Sequence, residues 1–88
     1  MIAFEYQPPS ERNGHTVCLH NNYYDQRAGR FDSPLCTNGY VPLALISEDV
    51  SRSDAWDKFC DWLHLEQPSL PDAMRQAYAV LAKIAARS

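Results

Sequence analysis

The chain has 88 residues, of which 45% are hydrophobic and 22% charged, and its formal net charge is -3. This composition is typical of a globular domain and argues against a disordered chain. The acidic balance argues against a protein that coats nucleic acid and against a polybasic membrane anchor, because both need many Lys and Arg side chains. No segment approaches the ~20 apolar residues of a membrane span, so no membrane association is expected.

The composition changes near residue 50. Residues 1–50 contain all three glycines and four of the six prolines, whereas residues 51–88 contain no glycine and have the pattern of two amphipathic helices. We expect a single domain over residues 1–88, with a sheet-and-loop half at 1–50 and a helical pair at 51–88. The predicted fold class is α+β: a small antiparallel sheet of three to four strands, followed by two C-terminal helices packed on one face.

The N-terminal half contains several strand and turn signals. Alternating apolar and polar residues over 2–7 predict a half-buried first strand. Asn13-Gly14 favours a turn, so a long hairpin is expected to lead into a second strand over 15–20. Residues 21–39 have no sustained period, although 30–36 could form a short edge strand because its proline cannot donate to a ladder.

The end of this half also contains a turn signal, at Asn38-Gly39, which predicts a second hairpin. Residues 40–46 after it form the most hydrophobic segment of the chain. We expect a central strand there beyond Pro42, with the start of the strand on a free edge.

The C-terminal half predicts two helices. Ser51 or Ser53 is expected to cap the first one, which should end before Pro68. Its predicted inner face consists of Trp56, Phe59, Cys60 and Leu63. Ser69 and Asp72 resemble a capping box at the start of the second helix. The predicted inner face of that helix consists of Met74, Ala77, Tyr78, Leu81, Ile84 and Ala85.

The outer face of the first helix is the main candidate for a partner-binding surface. Asp54, Asp57 and Asp61 are spaced to share this face, and Trp62 lies between it and the apolar stripe. The plain alternative is a solvated face, with Asp54 near the positive helix N-terminus and paired with Lys58. Trp62 either covers the edge of the core or anchors a partner, and the sequence leaves both open.

A second candidate lies in the segment that interleaves aromatic and basic residues. Tyr23, Tyr24, Arg27, Arg30 and Phe31 are interpreted as part of a surface loop. Tyr and Arg are enriched at protein–protein hot spots, and the same residues also suit single-stranded nucleic acid. Neighbouring aspartates offset the arginines, so we expect a protein contact and no direct nucleic-acid binding. The plain alternative is an ordinary surface loop.

The cysteines at 18, 36 and 60 have wide, irregular spacing. Free thiols in a reducing, cytoplasmic compartment are expected, with one disulfide and one free thiol as the alternative. Cys18, His20 and Cys36 are the best candidates for metal ligands, but a fourth ligand and the usual tight spacing are missing. No cofactor loop or nucleophile signature appears. We therefore expect no metal, no cofactor and no enzymatic activity.

In size, acidic charge and lack of motifs the chain resembles small phage proteins that disable host defences, including anti-CRISPR proteins. The resemblance is one of overall profile and covers no specific residue pattern. It implies a stoichiometric inhibitor whose acidic and aromatic helix meets the basic channel of a nucleic-acid-handling host complex. The alternative is a small structural or regulatory subunit that self-associates, for example as a homodimer. A metal- or thiol-dependent enzyme is a more distant alternative.

Overall fold

The computed structural model describes residues 2–25, 30–32 and 40–86, and for residues 20–25 and 30–32 it describes the backbone alone. The strands are β1 (Ile2–Gln7), β2 (Val17–Asp25), β3 (Arg30–Asp32) and β4 (Val41–Ile46). The helices are α1 (Glu48–Ser51), α2 (Asp54–Glu66) and α3 (Leu70–Ala86). The described strands form one antiparallel sheet in the order β3-β2-β1-β4. The α+β prediction of a small sheet followed by two packed helices is confirmed, and the short α1 is an addition to it.

β1 is a central strand, paired with β2 along one edge and with β4 along the other. Ile2, Phe4 and Tyr6 belong to the core cluster beneath the helices. Ala3 and Glu5, whose side chains alternate with these, are also fully buried. The prediction of a half-buried strand was therefore wrong. Alternation in sequence shows which residues share a face of a strand, but it does not show that the second face is also covered.

β4 lies at an edge of the sheet, and the prediction of a central strand was wrong. Its only strand neighbour among the described residues is β1. Pro42 fits this position, because proline has no N–H to donate to a second neighbour. Val41 and Leu45 are 36% and 42% exposed, whereas Leu43 is buried. The hydrophobicity of this segment thus reflects packing against the core and α3 rather than a place in the middle of the sheet.

β2 is longer than the strand predicted over 15–20. It pairs with β1 from Val17 to Tyr23 and then with β3 through Asp25. The connection from β1 includes Gly14 at φ +70°, which agrees with the predicted turn. β3 occupies the other edge of the sheet, as predicted for the segment that begins at residue 30. The turn predicted at Asn38-Gly39 lies outside the described residues.

Ser53 is the N-cap of α2, since its Oγ accepts a hydrogen bond from the backbone N–H of Trp56 at 3.2 Å. Of the two candidates for this cap, Ser51 and Ser53, the structure thus identifies Ser53. The buried residues of α2 are the four predicted ones: Trp56, Phe59, Cys60 and Leu63. The helix ends at Glu66, and Gln67 takes a left-handed conformation with φ 49° immediately before Pro68.

α3 has a narrower contact face than predicted. Its fully buried residues are Ala73 and Ala77, whereas Tyr78 is 58% exposed and Ala85 is also exposed. The assignment of Tyr78 and Ala85 to the inner face was wrong, because each lies about 80–100° around the helix from Ala77. At the start of α3, Ser69 Oγ donates to Asp72 Oδ2 at 3.1 Å, a contact between side chains in place of the expected capping box.

None of the helices in the described part of the chain is both long enough and apolar enough to cross a membrane.

Candidate functional site

A row of four aromatic rings connects the sheet to the surface of α2. The ring centroids of Phe4 and Trp56 lie 4.9 Å apart, as do those of Trp56 and Phe59. The ring of Trp62 stacks on Phe59 at 6.0 Å, with 24° between the two planes. Trp56 is fully buried, whereas Trp62 is half-buried. Trp62 thus covers the edge of the core with one part of its ring and remains accessible to solvent with another.

Trp62 also lines a cleft of about 580 Å³ between α2 and α3. The apolar residues that line this cleft are Ala55, Phe59, Trp62, Val80 and Ile84. The polar and charged residues around it are Asp54, Lys58, Gln76 and Lys83. The cleft therefore combines an apolar interior with carboxylate and ammonium groups, which is the usual composition of a protein-contact site with a desolvated centre and a polar rim.

The cleft follows from the order of small and large residues along α3. Ala73, Ala77, Val80 and Ile84 lie within about 60° of one another around the helix. The two alanines are fully buried, but Val80 and Ile84 are only half-buried and line the cleft. The small side chains of Ala73 and Ala77 permit α3 to pack closely on the core near the α2–α3 connection. Further along α3, α2 leaves Val80 and Ile84 partly uncovered, and this uncovered surface forms one wall of the cleft.

The three aspartates of the predicted surface are all exposed on α2. The ion pair of Asp54 with Lys58, which belonged to the alternative of a solvated face, is not formed, and none of the three aspartates forms an ion pair with a described side chain. By contrast, Asp72 and Arg75 on α3 form an ion pair, with 3.3 Å between Asp72 Oδ1 and Arg75 Nη1. Asp54 reaches the cleft, whereas Asp57 and Asp61 lie about 100–140° around α2 from Trp62. The structure thus places one aspartate at the cleft that Trp62 also lines and two on the adjoining outer face.

Charge is divided unequally between the two long helices. Residues 48–66, which include α1 and α2, contain six carboxylates and two basic side chains. Residues 70–86 of α3 contain one carboxylate and two basic side chains. Glu48 and Asp49 are exposed at the start of the acidic stretch, so the negative surface extends from α1 along α2. A basic partner would be attracted to this side of the molecule.

The described residues of the aromatic and basic segment, 23–25 and 30–31, lie in strands and not in the loop that was predicted. Tyr23 and Tyr24 belong to β2, and Arg30 begins β3 with Asp25 as its pairing partner. Arg27 and the side chains of the other residues in this candidate site lie outside the described residues. The strand was missed because mixed polar and aromatic residues show no clear alternation. The β propensity of two adjacent tyrosines was the available signal.

Neither Cys18 nor Cys60 is part of a disulfide bond, and the two residues lie on elements that pack together, β2 and α2. The hydrogen bond to Cys18, together with burial, raises the pKa of the Cys60 thiol well above its usual range. Sequence spacing did not suggest this pair, because only the packing of α2 on β2 brings the two residues together. Among the side chains that the structure describes, no group of three or more His, Cys, Asp and Glu residues could hold a metal ion. The predicted candidate ligand Cys36 and the side chain of His20 lie outside that part.

Comparison of the chain with protein families, curated proteins and solved structures found no match.

Proposed function

We propose that the protein is a non-enzymatic binding module that inhibits a nucleic-acid-handling complex by occupying a basic surface of that complex with α2. The observation that carries the proposal is the exposed row Asp54, Asp57 and Asp61 on the outer face of α2, which adjoins the face that carries the half-buried Trp62. The resemblance in profile to small phage inhibitors, including anti-CRISPR proteins, supports the same class of function.

The spacing of the three carboxylates suits competition with a nucleic acid. From Asp54 to Asp61 the helix rises by roughly 10 Å, which gives about one negative charge per 5 Å. A nucleic-acid strand carries about one phosphate charge per 3.4 Å of helix axis, a density of the same order. A channel of Lys and Arg side chains that binds phosphates would therefore also attract this helix, and the two ligands would exclude one another.

Trp62 gives this charged surface an anchor. Interface energy is concentrated in a few central side chains, among which Trp is enriched, while charges at the rim mainly affect association rate and specificity. A basic partner would also relieve the repulsion between Asp57 and Asp61, which costs a few tenths of a kcal/mol in an isolated helix. The aromatic ring and the carboxylates thus contribute in different ways to one interface.

The proposal is tested by capture from nuclease-treated host lysate with the tagged protein, followed by identification of the bound proteins. The decisive variant is Asp54→Asn, Asp57→Asn, Asp61→Asn, which removes the charges with little change in shape, and its fold is checked by circular dichroism. We expect the wild-type protein to retain a nucleic-acid-binding complex that added DNA or RNA displaces. The triple variant should lose this complex.

Two control variants and one further test variant accompany this experiment. Glu11→Gln neutralises an exposed carboxylate in the β1–β2 connection and should capture as well as the wild type. Trp62→Ala should weaken capture at least tenfold, whereas Tyr78→Ala removes an exposed aromatic ring of α3 outside the cleft and should not. A folded triple variant that retains the same complex, or a complex that nucleic acid does not displace, would contradict the proposal.

A second candidate function is self-association as a structural or regulatory subunit, and the edge strand β4 favours it. Val41 and Leu45 expose apolar side chains on this strand, whose outer edge has no described strand neighbour. An open edge of this kind can pair with the same edge of a second copy. Light scattering distinguishes the two functions: a stable dimer that Leu45→Lys converts to monomer would support self-association through β4.

A further inference from the structure

Cys18 and Cys60 meet at the boundary between the sheet and α2. Cys18 on β2 is the cross-strand partner of Tyr6, and such partners project from the same face of a sheet. Tyr6 is fully buried, and its hydroxyl donates to the carbonyl oxygen of Pro68, immediately after α2, at 2.5 Å. Cys18 therefore faces the helices.

The position of Cys60 completes the pair. Cys60 is 4% exposed on the inner face of α2. Cys18 packs against the core cluster that contains Cys60, and its thiol is the main cause of the raised pKa of Cys60. Strand register, helix face and core packing thus place both side chains in the interface between β2 and α2.

We propose that Cys18 and Cys60 form a redox-modification site, at which a low-molecular-weight disulfide such as oxidised glutathione joins β2 to α2 through a reversible disulfide bond.

Exposure determines the order of the two steps. Cys18 is half-buried and Cys60 is buried, so the Cys18 thiolate attacks the oxidant first. A bond forms between Cys18 Sγ and one sulfur of the oxidant, and the other sulfur leaves as a thiolate. Cys60, after loss of its proton, then attacks Cys18 Sγ and expels the second thiolate. Two protein thiols are oxidised, one disulfide of the oxidant is reduced to two thiols, and the two protein protons end on these products.

The surroundings of Cys60 make the second step the slower one. Its hydrogen bond to Cys18 and its burial raise the pKa of the Cys60 thiol, and nearby Asp57 and Asp61 act in the same direction. Only the thiolate attacks a disulfide, so closure of the bond should accelerate as pH rises. A mixed disulfide at Cys18 should consequently appear as a transient species before the cross-link.

The test uses the wild-type chain, incubated with oxidised glutathione at mildly alkaline pH and digested without reduction. We expect a fragment that links Cys18 to Cys60, an intact chain lighter by two hydrogen atoms, and full reversal by a thiol reductant. Because the bond closes a loop of about 40 residues, we expect the Tm to rise by roughly 10 °C or more.

Two variants identify which cysteines form the bond. Cys36→Ser retains only the two cysteines of the proposed pair and should still form the cross-link. Cys18→Ser retains Cys36 and Cys60, and these two should not form a disulfide bond with each other. The proposal is overturned by a cross-link that involves Cys36, by a glutathione adduct on Cys18 that never closes, or by a Cys18–Cys60 bond that lowers the Tm. Since none of these readouts involves a binding partner, they are independent of the proposed inhibitory function.

Discussion

The hydroxyl of Ser53 is expected to stabilise the start of the helix that carries the proposed site. Its Oγ accepts a hydrogen bond from the N–H of Trp56 at 3.2 Å and donates one to the carbonyl oxygen of Val50 at 2.8 Å. Ser53→Ala removes both bonds. Loss of an N-cap costs about 1 kcal/mol, and loss of a partly buried hydrogen bond costs about 1 kcal/mol more. The free energy of unfolding should therefore fall by about 2 kcal/mol.

For a domain of this size, such a loss corresponds to a decrease in Tm of roughly 8–16 °C. Urea unfolding should show a lower midpoint with an unchanged m-value, because a cap affects stability and not the surface exposed on unfolding. Two probes are available, circular dichroism for the helices and tryptophan fluorescence for the core, since Trp56 is fully buried. Their transitions should coincide if unfolding has two states.

Two further variants separate the contributions of these bonds. Ser53→Asp should recover about half of the loss, because a carboxylate can accept from the Trp56 N–H but cannot donate to Val50. Ser51→Ala removes an exposed hydrogen bond to the carbonyl oxygen of Glu48 and should cost less than about 0.5 kcal/mol. Equal losses for Ser51→Ala and Ser53→Ala, or no loss for Ser53→Ala, would refute the assignment of the cap.

Two other predictions concern the core and its response to pH. Leu63→Ala removes a fully buried side chain of α2 and should lower the free energy of unfolding by about 2–5 kcal/mol in a urea titration. Leu65 is 79% exposed, so Leu65→Ala should lower it by less than about 0.5 kcal/mol. Equal losses would contradict the orientation of α2. Burial raises the pKa of Tyr6. The interaction with Cys18, together with burial, raises the pKa of Cys60. The unfolded chain therefore loses these two protons at a lower pH than the folded chain does. The stability that depends on these two protons should therefore be fully present below roughly pH 9 and be lost as the pH rises further. This alkaline decline should be shallower in Cys60→Ala and in Tyr6→Phe, and identical slopes in wild type and variants would show that neither group is responsible.

The sequence predicted α2 well because several local signals agreed. A serine stood at the position of the cap, Trp56 and Leu63 followed the helical period, and a proline stood just beyond the end. The acidic outer face was predicted from the same periodicity. Local patterns of this kind determine which way a helix faces, so the exposure of the three aspartates could be expected before the structure.

The errors concern properties that depend on neighbours distant in sequence. Alternation along β1 could not show that strands flank it on both edges, and the hydrophobicity of β4 could not show that it lies at an edge. Likewise, neither the cleft nor the Cys18–Cys60 pair has a local pattern. Both depend on how α2 packs against α3 and β2, which is decided by side-chain volumes across the whole core.

Three internal contacts hold the proposed binding face of α2 in place. Ser53 holds the first turn, the aromatic row that ends at Trp62 ties the middle of the helix to β1, and the Tyr6 hydroxyl ties β1 to Pro68 just past its end. Carboxylates on a helix held in this way lose little further freedom when a partner binds, and this lowers the entropic cost of association. Changes that loosen these internal contacts should therefore weaken binding even when every residue of the exposed surface is intact.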